Sequence, residues 1–395
     1  MYNETAYGLG ANRSCIRELF EYGRARAAQI GPENVFDYSL GDPSIPAPPE
    51  VNDTIRQLLG EMDSLALHGY TPAVGDLATR QAIAQDLNNR FTAGVKPEEL
   101  FLTCGAAPAL AAVFRALAVP GAEILAIAPF FPEYRPWSEA AGLTFRVVPP
   151  DVPDFQINLA AVEQMLTPNT AALILNSPNN PSGTVYTEQT LRSLGTLLAE
   201  KAAQWGHPIY IIADEPYREL TYDGVQTPFI PNLYPNTVVC YSYSKSLSLP
   251  GERIGYVYVP AQAADSRNLY AAAAGAARAC GHVCAPSLWQ KVIARCACLR
   301  PDLEAYDRNR KALYQGLLEA GYETAKPQGA FYLFVKAPGG NAKAFSEKAK
   351  EFDLLLVPGD DFGCPGYVRI CYCCSYEKIL RSLPVFARLR REYPG

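Results

Sequence analysis

Residues 171–183 read Ala171-Ala172-Leu173-Ile174-Leu175-Asn176-Ser177-Pro178-Asn179-Asn180-Pro181-Ser182-Gly183. A short unbroken apolar run is followed at once by a run made wholly of turn formers. The apolar part is too short for a helix, and its length suits a strand covered on both faces. Thr187 to Ala203 then has the length of a helix, and Pro208 to Ala213 is again short and apolar. Strand, helix, strand in this order predicts an α/β fold with a parallel sheet.

The same alternation extends in both directions. Strand-like runs occur at Phe101-Leu102-Thr103, Ile124 to Ala128, Thr144 to Val148, Thr237 to Tyr241 and Ile254 to Val259, with a helix-length segment at Ala109 to Ala118. Together with the two runs above they predict a mostly parallel, seven-stranded sheet covered by helices. Beyond residue 260 the pattern changes. A helical stretch to about Leu318 precedes a smaller mixed region: Gly329 to Val335, Ala342 to Phe352, Leu354 to Pro358, Tyr367 to Cys373 and Tyr376 to Arg391. The expected organisation is a large domain over 50–285 and a smaller α+β domain over 286–395. The N-terminal segment 1–49 is expected to pack with the smaller domain, joined through the proline-rich Asp42 to Pro49.

Composition narrows the partners. The 395 residues carry a net charge of −5 and no basic block, which argues against nucleic acid. The N-terminus lacks a basic start and an apolar core, and no apolar run reaches the roughly 18–20 residues needed to cross a bilayer. A soluble, cytoplasmic protein is expected. Eight of the eleven cysteines lie after residue 279. An odd count without a secretory signal reads as free thiols packed as small apolar groups, with no metal site expected. In Cys371-Tyr372-Cys373, strand alternation would point both thiols to one face.

Candidate chemistry falls at the ends of the strand-like runs, where open α/β sheets bind ligands. In Thr103-Cys104-Gly105-Ala106-Ala107-Pro108, the amides of Gly105, Ala106 and Ala107 open a helix and suit an anion. Phe131, in Pro129 to Tyr134, could stack on a planar ring. Asn176 to Gly183 offers asparagine amides held by two prolines. Asp214, in Asp214-Glu215-Pro216-Tyr217, ends an apolar strand and there needs a cationic or hydrogen-bonding partner, such as a pyridinium N–H. Tyr217 could reach a phenolic ring oxygen. Lys245 lies in Ser242-Tyr243-Ser244-Lys245-Ser246, with Arg253 eight residues on. An amine held neutral can condense with an aldehyde, and flanking hydroxyls with an arginine suit a phosphate. Arg369, in the apolar run Tyr367 to Cys371, offers a planar fork for a carboxylate.

In order and spacing, Asn180, Asp214, Lys245, Arg253 and Arg369 resemble the class I/II aminotransferases, pyridoxal-phosphate enzymes of fold-type I and aspartate aminotransferase-like architecture. The resemblance runs from Ser39-Leu40-Gly41-Asp42-Pro43 through His68-Gly69-Tyr70-Thr71-Pro72 to Arg369. It implies that Lys245 bonds the cofactor aldehyde and later shuttles the substrate's α-proton, with Asp214 on the pyridinium nitrogen. It places Asn180 and Tyr217 on the ring's 3′-oxygen and Phe131 on the ring face. Ser242, Ser244, Arg253 and the Gly105–Ala107 amides would hold the phosphate. Arg369 and Asn180 would meet the substrate carboxylate, and the segment bearing Gly41 would close over it. Tyr70 would serve the phosphate of a second subunit, so a homodimer with shared sites is expected. The activity implied is ping-pong amino transfer between an amino acid and a 2-oxo acid. A C–S β-lyase on the same scaffold is the nearest alternative, and a non-catalytic ligand sensor is one from another class. Ala107 stands where many aspartate-specific relatives carry a lysine for the distal carboxylate. Arg13, Arg17 and Arg278 are the candidates to replace it.

Overall fold

The computed structural model describes residues 1–11 and 14–393. The first strand, β1 (Phe36–Asp37), lies apart from the main sheet. The seven apolar runs form β2 (Leu100–Thr103), β3 (Glu123–Ile127), β4 (Thr144–Val148), β5 (Thr170–Asn176), β6 (Tyr210–Asp214), β7 (Thr237–Ser242) and β8 (Gly255–Tyr258). They make one sheet in the order β2-β8-β7-β6-β5-β3-β4. Neighbours from β4 to β7 pair in parallel, while β8 runs antiparallel to β7 and β2. The fold is therefore α/β with a mostly parallel seven-stranded sheet, as the alternation predicts.

The period-2 geometry of a strand explains why these runs are apolar throughout. On β5, Ala172 and Ile174 enter the core beneath helix Ala106–Leu117, and Leu173 and Leu175 enter the opposite core beneath helix Glu188–Trp205. Each fully buried leucine or isoleucine contributes about 2 kcal/mol. The helix ends are written locally too. Thr187 caps Glu188–Trp205 by accepting from Thr190 N at 3.1 Å, and Gly206 ends it in the left-handed conformation.

The C-terminal region adds β9 (Tyr332–Lys336), β10 (Leu354–Leu355), β11 (Val357–Pro358) and β12 (Tyr367–Cys371). A three-stranded antiparallel sheet runs β11-β12-β9, so β12 is its middle strand. The N-terminal segment joins this region: β1 pairs with β10, Arg26 meets Asp353 at 2.7 Å, and Leu19 packs with Leu355, Val357 and Phe362. Residues 42–48 contain neither helix nor strand. Helix Ser287–Cys296, however, packs on Leu77–Phe91 and Pro49–Glu61 and gives Val292, Ile293 and Cys296 to the main-sheet core. We propose that the division between the domains lies near Leu299 instead of 285, because burial ties this helix to the larger core.

Among the described residues, no helix is long and apolar enough to cross a membrane, and no three His, Cys, Asp or Glu side chains gather as a metal ion would require.

Candidate active site

A cleft of about 890 Å³ lies where β5, β6 and β7 end and β12 approaches from the smaller sheet. Strand register builds its floor. Asn176 on β5 pairs with Asp214 on β6, and Ser242 ends β7 opposite Gly255.

The turn after β5 is held by its own side chains. Asn176 Nδ2 donates to the Asp214 carbonyl at 2.8 Å, and Asn176 Oδ1 accepts from Asn180 N at 2.7 Å. Asn179 Oδ1 accepts from both Ser182 N and Ser182 Oγ. Paired in this way, the buried amides have their desolvation offset by hydrogen bonds, and they fix Asn180 at the cleft wall. Asn180 Oδ1 accepts from Arg369 Nη1 at 3.0 Å.

Asp214 is 5% exposed. Its Oδ2 accepts from the Tyr134 hydroxyl at 2.5 Å, while Oδ1 has no partner among the described residues. Burial pushes the carboxyl up to about 7. The Tyr134 bond opposes the shift and neighbouring Glu215 adds to it. Such a carboxylate is poised to accept a cationic N–H. Behind it, Glu215, Arg218, Glu219 and Arg90 form a buried ionic chain. Arg218 meets Glu215 at 2.5 Å and Arg90 meets Glu219 at 2.6 Å.

Lys245 sits on the one-turn helix Tyr243–Ser246 directly after β7. Its Nζ donates to the Gly41 carbonyl at 2.6 Å. Burial lowers its pKa, helped by Arg253 and opposed by Cys373, Cys371 and Asp42. Ser242 Oγ and Ser244 Oγ lie 2.7 Å apart, and Arg253 Nη1 donates to Ser244 Oγ at 3.3 Å. Gly105 stands at φ +95°, and a side chain there would press into the Arg253 guanidinium. The next residues, Ala106 and Ala107, open helix Ala106–Leu117 and line the cleft. Two hydroxyls, a guanidinium and the N-terminus of a helix thus converge on one side of Lys245.

Arg369 is 2% exposed on the middle strand β12. Its guanidinium donates to Asn180 and to the Ser39 carbonyl, lies over the Tyr332 and Phe362 rings, and leaves Nε without a partner among the described residues. Tyr217 and Tyr332 join hydroxyls at 2.9 Å. Gly41 packs against the Tyr332 hydroxyl so closely that no Cβ would fit.

Phe131, Asn180, Asp214, Tyr217, Ser242, Ser244, Lys245, Arg253, Arg369, Gly41, Ala106 and Ala107 all line this one cleft. Gly105 supports it through Arg253. Tyr70 is 94% exposed and does not line the cleft of its own chain. Of the arginines considered for a distal carboxylate, Arg17 lines the cleft, Arg278 lies outside it on helix Ser266–Ala279, and Arg13 falls outside the described residues. Sequence reasoning missed Tyr134 and Tyr332. Tyr134 opens the helix after β3, and Tyr332 stands on β9, where nothing local marks either as a partner of residues some hundred positions away.

The chain matches the family described as Aminotransferase class I and II over residues 33–383. The chain belongs to the class I and II aminotransferases. This aminotransferase is 30% identical to the aspartate aminotransferase of Thermotoga maritima over 369 residues, covering 91% of this chain and 92% of that one. It is 28% identical to aromatic-amino-acid aminotransferase 2 of Thermococcus litoralis, covering 96% of each. Among solved structures, an amino transferase of Eubacterium rectale superimposes with a TM-score of 0.98 at 54% identity over all of both chains. The aspartate aminotransferase of Thermus thermophilus with maleate gives 0.86 at 25%, covering 98% of this chain and 99% of that one.

Proposed function

We propose that this aminotransferase uses pyridoxal phosphate, held in the cleft by Lys245, Asp214 and Arg253, to move an amino group from an amino acid to a 2-oxo acid. The observation that carries the reading is the unpartnered Oδ1 of Asp214, buried opposite Lys245 in a cleft that also gathers the phosphate-binding groups. A pyridinium N–H would satisfy that oxygen and hold the carboxylate ionised. Ser242, Ser244, Arg253 and the amides of Gly105, Ala106 and Ala107 match a phosphate, Asn180 and Tyr217 a ring oxygen, and Phe131 a ring face.

When bound, pyridoxal phosphate supplies an aldehyde that captures the amine and a cationic ring that accepts the electron pair left at the α-carbon. The chain's own side chains do the rest. Arg369, preset by Asn180 and the Ser39 carbonyl, takes the substrate carboxylate with its planar fork. Lys245 Nζ would hold the cofactor through its aldehyde and would be released as a free amine when an amino acid takes its place. The freed amine, its proton affinity lowered by burial, removes the proton from the α-carbon as a general base. Product release before the second 2-oxo acid binds makes the kinetics ping-pong. Purified protein mixed with pyridoxal phosphate should gain a visible absorbance that an amino acid bleaches and a 2-oxo acid restores. No such change with any amino acid overturns the reading.

We further propose that the active form is a homodimer. Tyr70 is too exposed to serve its own cleft, and a partner's phosphate site gives it a role. Mixing Lys245→Ala and Tyr70→Phe subunits should yield hybrid dimers with one intact site, measured as activity above either parent.

A further inference from the structure

The mechanism leaves two buried thiols beside Lys245 unused. Cys371 ends β12 and Cys373 follows it, with Sγ atoms 2.7 Å apart. They are 2% and 7% exposed. Cys371 stands two residues beyond Arg369 on the same face of the strand, and its N donates to the Tyr38 carbonyl at 3.1 Å. Cys373 Sγ approaches the Leu40 carbonyl at 3.8 Å, one residue before the carbonyl that Lys245 uses. The pair thus touches both the strand that carries the carboxylate clamp and the segment seated on the lysine.

We propose that Cys371 and Cys373 form a redox-modification site, which a hydroperoxide converts to an intramolecular disulfide that loosens the grip on the substrate carboxylate. The two thiols are not equivalent. Burial raises the Cys371 thiol, but the Cys373 contact, Arg369 and Lys245 together bring it below its ordinary value. Burial and the Cys371 contact hold the Cys373 thiol well above its own. The pair therefore favours one thiolate beside one thiol.

Cys371 first loses its proton to solvent, and its thiolate attacks the terminal peroxide oxygen. The O–O bond breaks, and the alkoxide leaves with the displaced electron pair and takes a proton back from solvent, leaving Cys371 as the sulfenic acid. Cys373 sulfur then attacks the sulfenic sulfur. The S–S bond forms as the hydroxyl leaves with the Cys373 proton as water. Two thiols and one hydroperoxide give one disulfide, one alcohol and one water. Closing the 2.7 Å gap to a bond of about 2.05 Å would draw the end of β12, which carries Arg369, toward Cys373 and pull on the contacts to the Tyr38 and Leu40 carbonyls.

This inference rests on the proposed role of Arg369 only for its effect on activity. The site itself is tested by mass. The holoenzyme is treated with stoichiometric hydrogen peroxide, digested without reductant, and compared with Cys373→Ala. Expected is a loss of two hydrogens on the peptide holding Cys371, Cys373 and Cys374, absent in the variant and kept in Cys374→Ala. With it comes a several-fold rise in KM for the amino acid, reversed by dithiothreitol. If exposed Cys280 and Cys298 oxidise while this peptide keeps its mass, no such site exists. A disulfide that forms with KM unmoved in an active enzyme overturns the regulatory role. Protein inactive before treatment indicts the aminotransferase reading, and the mass result still decides the site.

Discussion

The Tyr134 hydroxyl donates to Oδ2 of Asp214 at 2.5 Å, while Oδ1 of the same carboxylate faces the cleft without a partner among the described residues. One oxygen is fixed and the other is buried without a partner among the described residues. Without the cofactor, burial raises the carboxyl from 3.8 to about 7. The folded state then binds more protons than the unfolded chain between those values, so this group's contribution is fully present below about pH 4 and lost as pH rises through about 7. The span is roughly 3 pH units, on the order of 4 kcal/mol as a ceiling. Cofactor-free Asp214→Asn should therefore melt above cofactor-free wild type at pH 7.5, with the gap closing toward pH 4. Thermal denaturation across that range measures it. A gap that widens on acidification contradicts the raised carboxyl.

Lys245 tests the chemistry more directly. Its Nζ bond to Gly41 is an accessory to folding, so Lys245→Ala should keep the fold and its melting temperature within a few degrees. Transamination should fall about 10⁴-fold or more, since both the covalent post and the general base are lost. Circular dichroism and a coupled transaminase assay separate the two effects. Normal turnover in the variant ends the assignment.

Arg369 should act on binding. Arg369→Lys keeps the charge but loses the fork, and it frees Asn180 Oδ1 from its Nη1 partner. Loss of a charge-assisted hydrogen bond costs about 1.5–3 kcal/mol, so KM for the amino acid should rise roughly 10- to 150-fold. Steady-state kinetics checks this, and an equal loss in kcat with KM unchanged would instead assign Arg369 to the transition state alone.

Much of this was legible before any coordinates. The seven strands were, because two-sided burial writes an unbroken apolar run, and β5 shows it with Ala172 and Ile174 on one face and Leu173 and Leu175 on the other. Asp214 was, because a carboxylate at the end of such a run demands a partner. Tyr134 and Tyr332 were not, because a tyrosine that packs and a tyrosine that donates look alike in sequence. The helix Ser287–Cys296 was ambiguous in the same way: its apolar face fits either core, and its contact with Leu77–Phe91 supports the larger one. Arg369 was legible as an arginine in an apolar run, but its burial was not, because only the β11-β12-β9 order puts it on a middle strand.

The ionic chain behind the site carries a stability prediction. Arg218 is 3% exposed, bridges Glu215, donates to the Tyr256 hydroxyl at 3.0 Å, and lies over the Tyr241 ring. Arg218→Ala leaves Glu215 buried without its cation, which costs about 3–5 kcal/mol. The double variant Arg218→Met/Glu215→Gln removes both charges and should recover at least half of that loss. Denaturant unfolding of the two proteins measures the difference, and equal destabilisation would mean that packing, not charge, is what Arg218 supplies.

Substrate choice turns on what the cleft has left over. Among the described residues its charged lining is Arg17, Glu133, Asp214, Lys245, Arg253 and Arg369. If the cofactor takes Asp214, Lys245 and Arg253, and the α-carboxylate takes Arg369, Arg17 and Glu133 are the charged groups left among the described residues to read a side chain. Ala107 offers no cation, and among the described residues the cation left for a distal carboxylate is Arg17 on helix Cys15–Ile30. Arg17→Met should then lower kcat/KM for aspartate and glutamate about tenfold or more, the worth of one exposed charge-assisted contact, and leave alanine and phenylalanine within twofold. Glu133→Gln should spare the dicarboxylates or improve them, because it removes a like charge. If Arg17→Met slows every amino acid equally, the arginine closes the cleft without choosing among substrates. If it slows none, the distal group is read elsewhere.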